Sequence, residues 1–190
     1  MLPPSLQSHD FLRLHNLHPE INMRPTIDEY FMNIAEVVAT RSTCLRNQVG
    51  AVIVRDKRIV STGYNGAPRN LEHCLDIGCI REQEKINSGT RHEMCRAVHA
   101  EQNAIIQAAL HGISTRDSTI YCTHQPCVLC AKMIINASIV RVVFKQAYPD
   151  ARALEFFREA GIEVVQKGKG LPNPKPVSPA CDSEVEPQSQ

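Results

Sequence analysis

The feature that most constrains this chain is a histidine followed, further along, by two closely spaced cysteines. His99 is followed two residues later by Glu101, and Pro126 directly precedes the pair Cys127 and Cys130. An imidazole and two thiolates suit zinc, and three protein ligands leave a fourth tetrahedral position open, as is typical of catalytic rather than structural zinc. We therefore predict that His99, Cys127 and Cys130 bind a catalytic zinc ion and that Glu101 transfers protons beside it.

Composition excludes several classes of protein. The chain has 190 residues, 43% of them hydrophobic, which is enough for one domain with a real core. A net charge of +1 and the absence of tryptophan argue against a nucleic-acid partner. No apolar run approaches the length of a membrane span, and the N-terminus lacks the pattern of a signal peptide. We therefore expect a cytoplasmic protein without a membrane or nucleic-acid partner, whose cysteines bind metal rather than form disulfides.

The hydrophobic pattern predicts helices alternating with strands, and hence an α/β domain with helices on both faces of a sheet. A capping box, T-x-x-E, at Thr26 predicts the start of the first helix. We expect residues 1–22 to be a dispensable N-terminal extension, residues 23–167 to form the domain, and residues 168–190, rich in proline and serine, to be a disordered tail. Helices are predicted at about 27–40, 99–110, 126–137 and 151–160, and strands at about 49–54, 59–64, 119–123, 140–144 and 162–166.

Both groups of predicted zinc ligands fall at the N-termini of predicted helices. The helix dipole there favours thiolates and other anions. Cys127 and Cys130 are three residues apart on the first turn of one helix, so their sulfurs should share a face. Cys122 lies at alternating spacing in a predicted strand, and we interpret it as a small buried hydrophobe rather than a ligand.

Several longer motifs resemble those of one enzyme family. RSTCLRNQVGAVIV at 41–54, STGYNGAP at 61–68 and RHEMCRAVHAEQNAI at 91–105 resemble segments of deoxycytidylate (dCMP) deaminases of the bacterial type, including those of late-competence operons. The H-A-E and P-C-x-x-C motifs are common to all cytidine-type deaminases, whereas the other motifs are more specific to the dCMP enzymes. The resemblance covers about three quarters of the chain, from Arg24 to Gln166.

This resemblance implies a fold, a reaction and an assembly. The fold is the three-layer α/β/α cytidine deaminase-like fold, with a mixed five-stranded sheet. The reaction is the zinc-dependent hydrolysis of dCMP to dUMP and ammonia, which supplies dUMP for thymidylate synthesis. The resemblance further implies a homohexamer that is activated by dCTP and inhibited by dTTP.

The resemblance also implies substrate contacts. Asn65 is implied in nucleotide binding, Arg46 near the phosphate, and Tyr148 near the substrate or a subunit contact. From the residues alone, Asn65 could equally be a turn former, Arg46 a surface charge and Tyr148 a core residue. His124, just before the second ligand motif, either contacts substrate or caps the helix.

A second metal site is predicted from a group of leftover soft ligands. Residues 67–97 form a long irregular segment that needs a stabilising feature, and H-x-x-C and C-x4-C spacings suit a structural zinc. Some dCMP deaminases have such a zinc, with a cysteine at the position of Cys44. There are five candidate ligands for the four positions of such a site, and we expect either Cys74 or His92 not to bind the metal. The alternative interpretation is that these cysteines are free and buried. The candidates are Cys44, Cys74, Cys79, His92 and Cys95.

Three other functions compete with dCMP deamination. The first is deamination of another cytosine or pyrimidine compound, such as a free nucleoside or an intermediate of riboflavin synthesis, although 190 residues leave no room for the reductase domain expected of the riboflavin enzyme. The second is deamination of a tRNA adenosine, which the near-neutral charge disfavours. The third is a non-catalytic, zinc-stabilised nucleotide-binding scaffold, which would need the ligands but not Glu101.

Overall fold

A computed structural model describes residues 24–167 of the chain. The predicted N-terminal extension and the predicted C-terminal tail lie outside the described residues. The helices are α1 (Ile27–Ala39), α2 (Cys74–Ile77), α3 (Ile80–Gln83), α4 (Ala100–Leu110), α5 (Val128–Asn136) and α6 (Ala151–Glu159), with a 3₁₀ turn at His92–Met94. The strands are β1 (Gly50–Arg55), β2 (Arg58–Tyr64), β3 (Thr119–His124), β4 (Arg141–Gln146) and β5 (Glu163–Gln166).

The five strands form one mixed sheet in the order β2-β1-β3-β4-β5. β1 pairs antiparallel with β2 and β3, whereas β3, β4 and β5 are parallel neighbours. Asp56 and Lys57 join β1 to β2 with positive φ angles of 50° and 59°, the geometry of a tight hairpin turn. Within the described part of the chain, no helix has the length and apolar character needed to cross a bilayer.

Each face of the sheet has its own core, because side chains of a strand alternate between its faces. On one face, α1 packs Phe31, Met32 and Ala35 against strand residues that include Val52 and Tyr121. On the other face, α4, α5 and α6 cover a larger core that includes the fully buried Cys122. The predicted three-layer α/β/α fold with a mixed five-stranded sheet is therefore confirmed.

Two glycines bring helices into close contact with the sheet on opposite faces. A β-carbon added to Gly50 would lie 2.1 Å from the carbonyl oxygen of Ala35 in α1. A β-carbon added to Gly63 would lie 2.2 Å from the carbonyl oxygen of Ala100 in α4. Since no side chain fits at either position, the first turn of α4 lies directly against the sheet.

The structure corrects two details of the predicted elements. Both ligand helices begin later than predicted: His99 is the N-cap of α4 and Cys127 is the N-cap of α5, each with an extended backbone (ψ 156° and 170°). Pro126 therefore precedes the helix instead of occupying its first turn, because N-cap residues lie outside the helical region. The segment expected to be irregular contains the short helices α2 and α3, which four-residue patterns cannot reveal in sequence.

Candidate active site

The three predicted zinc ligands converge in the structure. Nδ1 of His99 lies 3.5 Å from Sγ of Cys127 and 3.4 Å from Sγ of Cys130. Among residues 24–167, this is the one group of three or more candidate ligands whose atoms all lie within 4.8 Å of one another. Zinc bonds of about 2.1 Å to nitrogen and about 2.3 Å to sulfur give a tetrahedral N–S edge of about 3.6 Å. The observed separations therefore fit a tetrahedral zinc ion.

The electrostatics of this group also favour a cation. A hydrogen bond with Cys130 lowers the pKa of Cys127 to about 3, with a further contribution from His99. The same bond, together with burial, raises the pKa of Cys130. Burial disfavours a charged His99, but its bond to Cys127 and the charge of Glu101 outweigh burial and raise its pKa. Cysteine binds zinc as the thiolate, so the lowered pKa of Cys127 provides an anionic ligand for a metal cation.

Glu101 lies beside these ligands in the first turn of α4. Its side chain is buried, with 4% of the residue exposed. Burial raises the pKa of Glu101, and the nearby charge of His99 opposes this rise. A carboxyl group whose pKa is raised toward neutrality can both accept and return a proton, which is the requirement for general acid–base catalysis.

A carboxylate that the sequence analysis missed holds the second ligand helix in place. Oδ2 of Asp150 accepts a hydrogen bond of 2.7 Å from the backbone N–H of Val128, at the start of α5. Oδ1 of the same side chain accepts from the N–H of Ala153 and caps α6. Nε2 of Gln125 donates to the backbone oxygen of Asp150 at 2.8 Å. The position of Asp150 before an amphipathic segment is a typical N-cap signal, although the second helix that it binds has no sequence signature.

All four predicted substrate contacts line one cavity together with the candidate catalytic residues. The cavity is bounded by the loop before β1, by the segment between α3 and α4, and by the loops that follow β3 and β4. His99, Glu101 and Cys127 form part of its wall. The predicted substrate contacts in the wall are Arg46, Asn65, His124 and Tyr148.

Asn65 is buried and its side chain holds the loop before β1. Its Oδ1 accepts hydrogen bonds from the N–H of Val49 at 2.8 Å and from the hydroxyl of Ser42 at 2.6 Å. Its Nδ2 donates to the backbone oxygen of Asn47 at 2.8 Å. The amide is therefore a structural anchor of the cavity wall, and its predicted contact with a nucleotide stays a prediction.

The other three predicted contacts also lie in the cavity wall. Arg46 donates from Nη1 to the backbone oxygen of Ile86 and from Nη2 to the hydroxyl of Ser88. The hydroxyl of Tyr148 accepts a 2.7 Å hydrogen bond from the N–H of Gly89. Both side chains thus hold the segment 86–90 against the cavity. Burial lowers the pKa of His124, so its imidazole is neutral at pH 7.

The five candidate ligands of a second metal divide into two groups. Burial raises the pKa of Cys74, and the charges of Cys79, Cys44 and Cys95 add to this rise, so these four thiols are neighbours. We call Cys44, Cys74, Cys79 and Cys95 the cysteine cluster. His92 instead lies beside the candidate active site, with its ring centroid 5.4 Å from that of His99. No three of the five bring their ligand atoms within 4.8 Å of one another among the described residues, so the second metal stays a prediction.

The fold and the site together define the class of protein. A mixed sheet between helical layers, with a His–Cys–Cys centre and a buried glutamate, is the architecture of cytidine deaminase-like zinc proteins. Residues 25–146 match the model of the cytidine and deoxycytidylate deaminase zinc-binding region. The chain therefore belongs to this family.

Similar proteins occur in several organisms. The chain is 40% identical to the deoxycytidylate deaminase of Saccharomyces cerevisiae over 147 residues, which are 76% of this chain and 46% of the yeast protein. It is 41% identical to ComE operon protein 2 of Bacillus subtilis over 140 residues, which are 73% of this chain and 70% of that protein. The chain thus spans about half of the yeast relative and over two thirds of the bacterial one.

Solved structures show the same fold. The dCMP deaminase of cyanophage S-TIM5, in complex with dCMP and dUMP, matches with a TM-score of 0.61 at 30% identity. The match covers 76% of this chain and 99% of the phage chain. A diaminohydroxyphosphoribosylaminopyrimidine deaminase/5-amino-6-(5-phosphoribosylamino)uracil reductase from Thermotoga maritima matches with a TM-score of 0.53 at 27% identity, over 36% of its own length.

Proposed function

We propose that the protein catalyses the hydrolytic deamination of dCMP to dUMP and ammonia, and so supplies dUMP for thymidylate synthesis. The observation that carries this proposal is the joint position of Glu101, His99 and Cys127 in the wall of a cavity that also contains Arg46. Cys130 completes the ligand group behind this wall. The zinc-ligand group and Glu101 suit the attack of water on an amidine carbon. Arg46 suits the binding of a phosphate group.

The candidate catalytic residues have distinct roles. His99, Cys127 and Cys130 would hold a zinc ion, which as a Lewis acid makes water a nucleophile at neutral pH. Glu101 accepts a proton from the attacking water and passes it to N3 of the cytosine ring. The water oxygen adds to C4 and gives a tetrahedral intermediate. Glu101 then accepts the second proton, from the new C4 hydroxyl, and delivers it to the amino nitrogen, so that the C4–N bond breaks, the C4 carbonyl forms and ammonia leaves.

The remaining wall residues would bind the nucleotide. Arg46 would face the phosphate, while Asn65 would position the nucleotide from the end of β2. His124 and Tyr148 line the cavity beside the candidate metal centre. A neutral His124 can donate one hydrogen bond and accept another without adding charge, which suits a contact with a sugar or a base.

The relatives favour dCMP over the alternative substrates. Two relatives at 40% identity, from yeast and from Mycobacterium phage D29, are named deoxycytidylate deaminase. The cyanophage enzyme whose structure contains dCMP and dUMP matches over nearly its whole length. The Thermotoga maritima enzyme is less similar in both sequence and structure.

A side-by-side assay tests the proposal. Ammonia release is measured from dCMP, CMP and deoxycytidine with the zinc-loaded protein, and Glu101→Gln serves as the inactive control. We expect the highest kcat/KM for dCMP. Equal activity on dCMP and deoxycytidine would contradict the nucleotide assignment, and no activity on any of the three would favour the scaffold hypothesis.

We also propose that the cysteine cluster binds a second, structural zinc ion. Four thiols provide the complete ligand set of a closed site, and their neighbourhood around the short helices α2 and α3 supports this ligand set over one that includes His92. The metal would stabilise a segment that has few apolar contacts of its own. Metal analysis should then give about two zinc ions per chain, and a value of one would contradict the second site.

Regulation and assembly are the last part of the proposal. We expect activation by dCTP, inhibition by dTTP and a homohexamer, as the family resemblance implies. Large apolar side chains that remain exposed in the single chain, such as Val37 at 68% and Leu110 at 65%, are available for subunit contacts. Sedimentation velocity with and without each nucleotide measures the assembly, and the dCMP saturation curve measures the regulation.

A further inference from the structure

Arg81 is the most deeply buried charged side chain of the cavity wall that the proposed function leaves without a role. It lies in the short helix α3, and 6% of the residue is exposed. Arginine is almost never buried to this extent unless it is paired with an anion. Among residues 24–167, however, no carboxylate oxygen lies within 4.0 Å of its nitrogens.

The hydrogen bonds of Arg81 satisfy only part of its guanidinium group. Nη2 donates to the backbone oxygens of Asn87 and Thr90 at 2.8 and 2.7 Å. Nε is buried and has no hydrogen-bond partner among the described residues. The two carbonyl groups therefore solvate the cation without neutralising it, and donor capacity remains for an anionic ligand.

Arg81 and Arg46 both line the cavity and both contact the segment 86–90. They differ in how much of their charge and hydrogen-bonding capacity is already satisfied. Arg46 is half-buried, and each of its Nη atoms already donates to this segment, to Ile86 and Ser88. Water can also solvate the guanidinium group of Arg46, because this side chain is only half-buried. Arg81 is withdrawn from water and unpaired, so it gains more from a bound anion.

We propose that Arg81 recognises the phosphate group of the substrate and is the main determinant of the preference for a nucleotide over a nucleoside. This inference rests on the proposed deamination of dCMP. The dianionic phosphate would provide the counter-ion that Arg81 lacks, and the hydroxyl of Ser88 lies in the same wall to donate a further hydrogen bond. A nucleoside would leave the buried guanidinium unpaired, and unpaired buried groups discriminate strongly between substrates.

The experiment compares dCMP with deoxycytidine as substrates of the wild type and of Arg81→Gln. For dCMP, we expect Arg81→Gln to lower kcat/KM by about tenfold to a hundredfold, the range for a lost charge-assisted hydrogen bond, mainly through KM. The kcat/KM for deoxycytidine should not change. Thr90→Val is the matched control, because it removes a hydroxyl that donates to Asn87 in the same segment and leaves the charge in place.

A second variant keeps the test independent of folding. Arg81→Lys retains the positive charge and can still donate to the two carbonyl groups, but it lacks the planar fork. We expect it to fold and to retain part of the preference for dCMP. Thermal unfolding of each variant shows whether a kinetic change follows a loss of structure.

The outcomes separate this inference from the proposed function. If Arg81→Gln reduces turnover of dCMP and deoxycytidine equally, or if Arg81→Lys and Arg81→Gln keep the wild-type preference, Arg81 only ties the segment 86–90 and the inference is wrong. In that case the wild type still prefers dCMP, and the proposed function stands. A wild type without any preference for dCMP contradicts the proposed function and this inference together.

Discussion

The candidate active site and the cysteine cluster contain the same ligand chemistry but lie on different kinds of scaffold. The active-site ligands are N-cap and first-turn residues of α4 and α5, which pack on the central sheet. Their ligand atoms are already within 3.5 Å of one another across each His–Cys pair. In the cysteine cluster, Cys74 begins the four-residue helix α2, Cys79 is the N-cap of the four-residue helix α3, and the other two cysteines lie on loops. Its sulfur atoms do not converge to the same degree.

If both groups bind zinc as proposed, this difference predicts two different roles for the metal. A site held by packed helices is preorganised, so its metal contributes chiefly to chemistry. A site on segments too short to fold alone depends on its metal for structure, because the free energy of metal binding is then part of the free energy of folding. The two sites should therefore respond in opposite ways to substitution.

The largest expected effect on activity comes from Glu101→Gln. The amide preserves the shape of the buried side chain but cannot accept a proton, so turnover of dCMP should fall by about a hundredfold or more. Zinc content and the melting temperature should stay close to wild type, as expected for a preorganised site. Turnover near the wild-type value in the purified variant would exclude the proposed proton transfer.

Cys79→Ser should produce the opposite pattern. Cys79 is buried and does not line the active-site cavity, so its loss should lower zinc content by one ion per chain and lower the melting temperature by roughly 5 °C or more. Turnover at low temperature should change much less. Cys122→Ala, which removes a buried thiol from the sheet core, is the control and should leave zinc content unchanged. An unchanged zinc content in Cys79→Ser would remove the second site.

Arg46→Ala tests the cavity wall of the candidate active site. Arg46 faces the phosphate in the proposed function, so the variant should raise KM for dCMP by about tenfold with little change in kcat. Activity on deoxycytidine should hardly change, and Arg46→Lys should restore only part of the affinity. Steady-state kinetics on both substrates measure this, and an equal loss on both would show that Arg46 acts through structure alone.

The smallest effect concerns a charge cluster on the opposite face of the sheet. Asp28 accepts two hydrogen bonds from Arg141, at 2.8 and 2.9 Å, and one from Tyr121. The bonds from Arg141 lower the pKa of Asp28 below its ordinary value of 3.8, against the effect of burial. Ionised Asp28 therefore stabilises the fold fully above that value, and this contribution is lost as the pH falls through the lower pKa of the folded state.

Asp28→Asn should accordingly reduce the free energy of unfolding by about 1–3 kcal/mol at pH 7, the range for hydrogen bonds to charged groups. The difference from wild type should stay constant down to about pH 5 and shrink below about pH 4. Urea unfolding at several pH values measures it, and zinc content near pH 7 should match wild type. A difference that grows as the pH falls would mean that the cluster does not act through ionised Asp28.

The sequence predicted the fold and the metal centre for a physical reason. Hydrophobic periodicity reflects how helices and strands pack, so the elements could be predicted from the sequence. The ligand motif falls at the ends of these elements, so His99, Glu101, Cys127 and Cys130 could be assigned to one site from the sequence alone. The hydrogen bonds that loop residues make could not be predicted in the same way. Asn65 lines the cavity as the resemblance implies, but the hydrogen bonds of its amide with the loop before β1 have no signature in the sequence. The sequence pattern did not single out Arg81, because the burial of this side chain depends on how the segment 86–90 folds over it.

The two hydrogen bonds of Asp150 have a consequence for the way the domain opens. One carboxylate caps α6 through Ala153 and binds the first N–H of α5 at Val128. Undocking α6 would therefore release the start of the ligand helix as well, and the two helices should behave as one unit of local unfolding. In hydrogen exchange, the amides of Val128 and Ala153 should show the same opening free energy, and Asp150→Asn should accelerate the exchange of both.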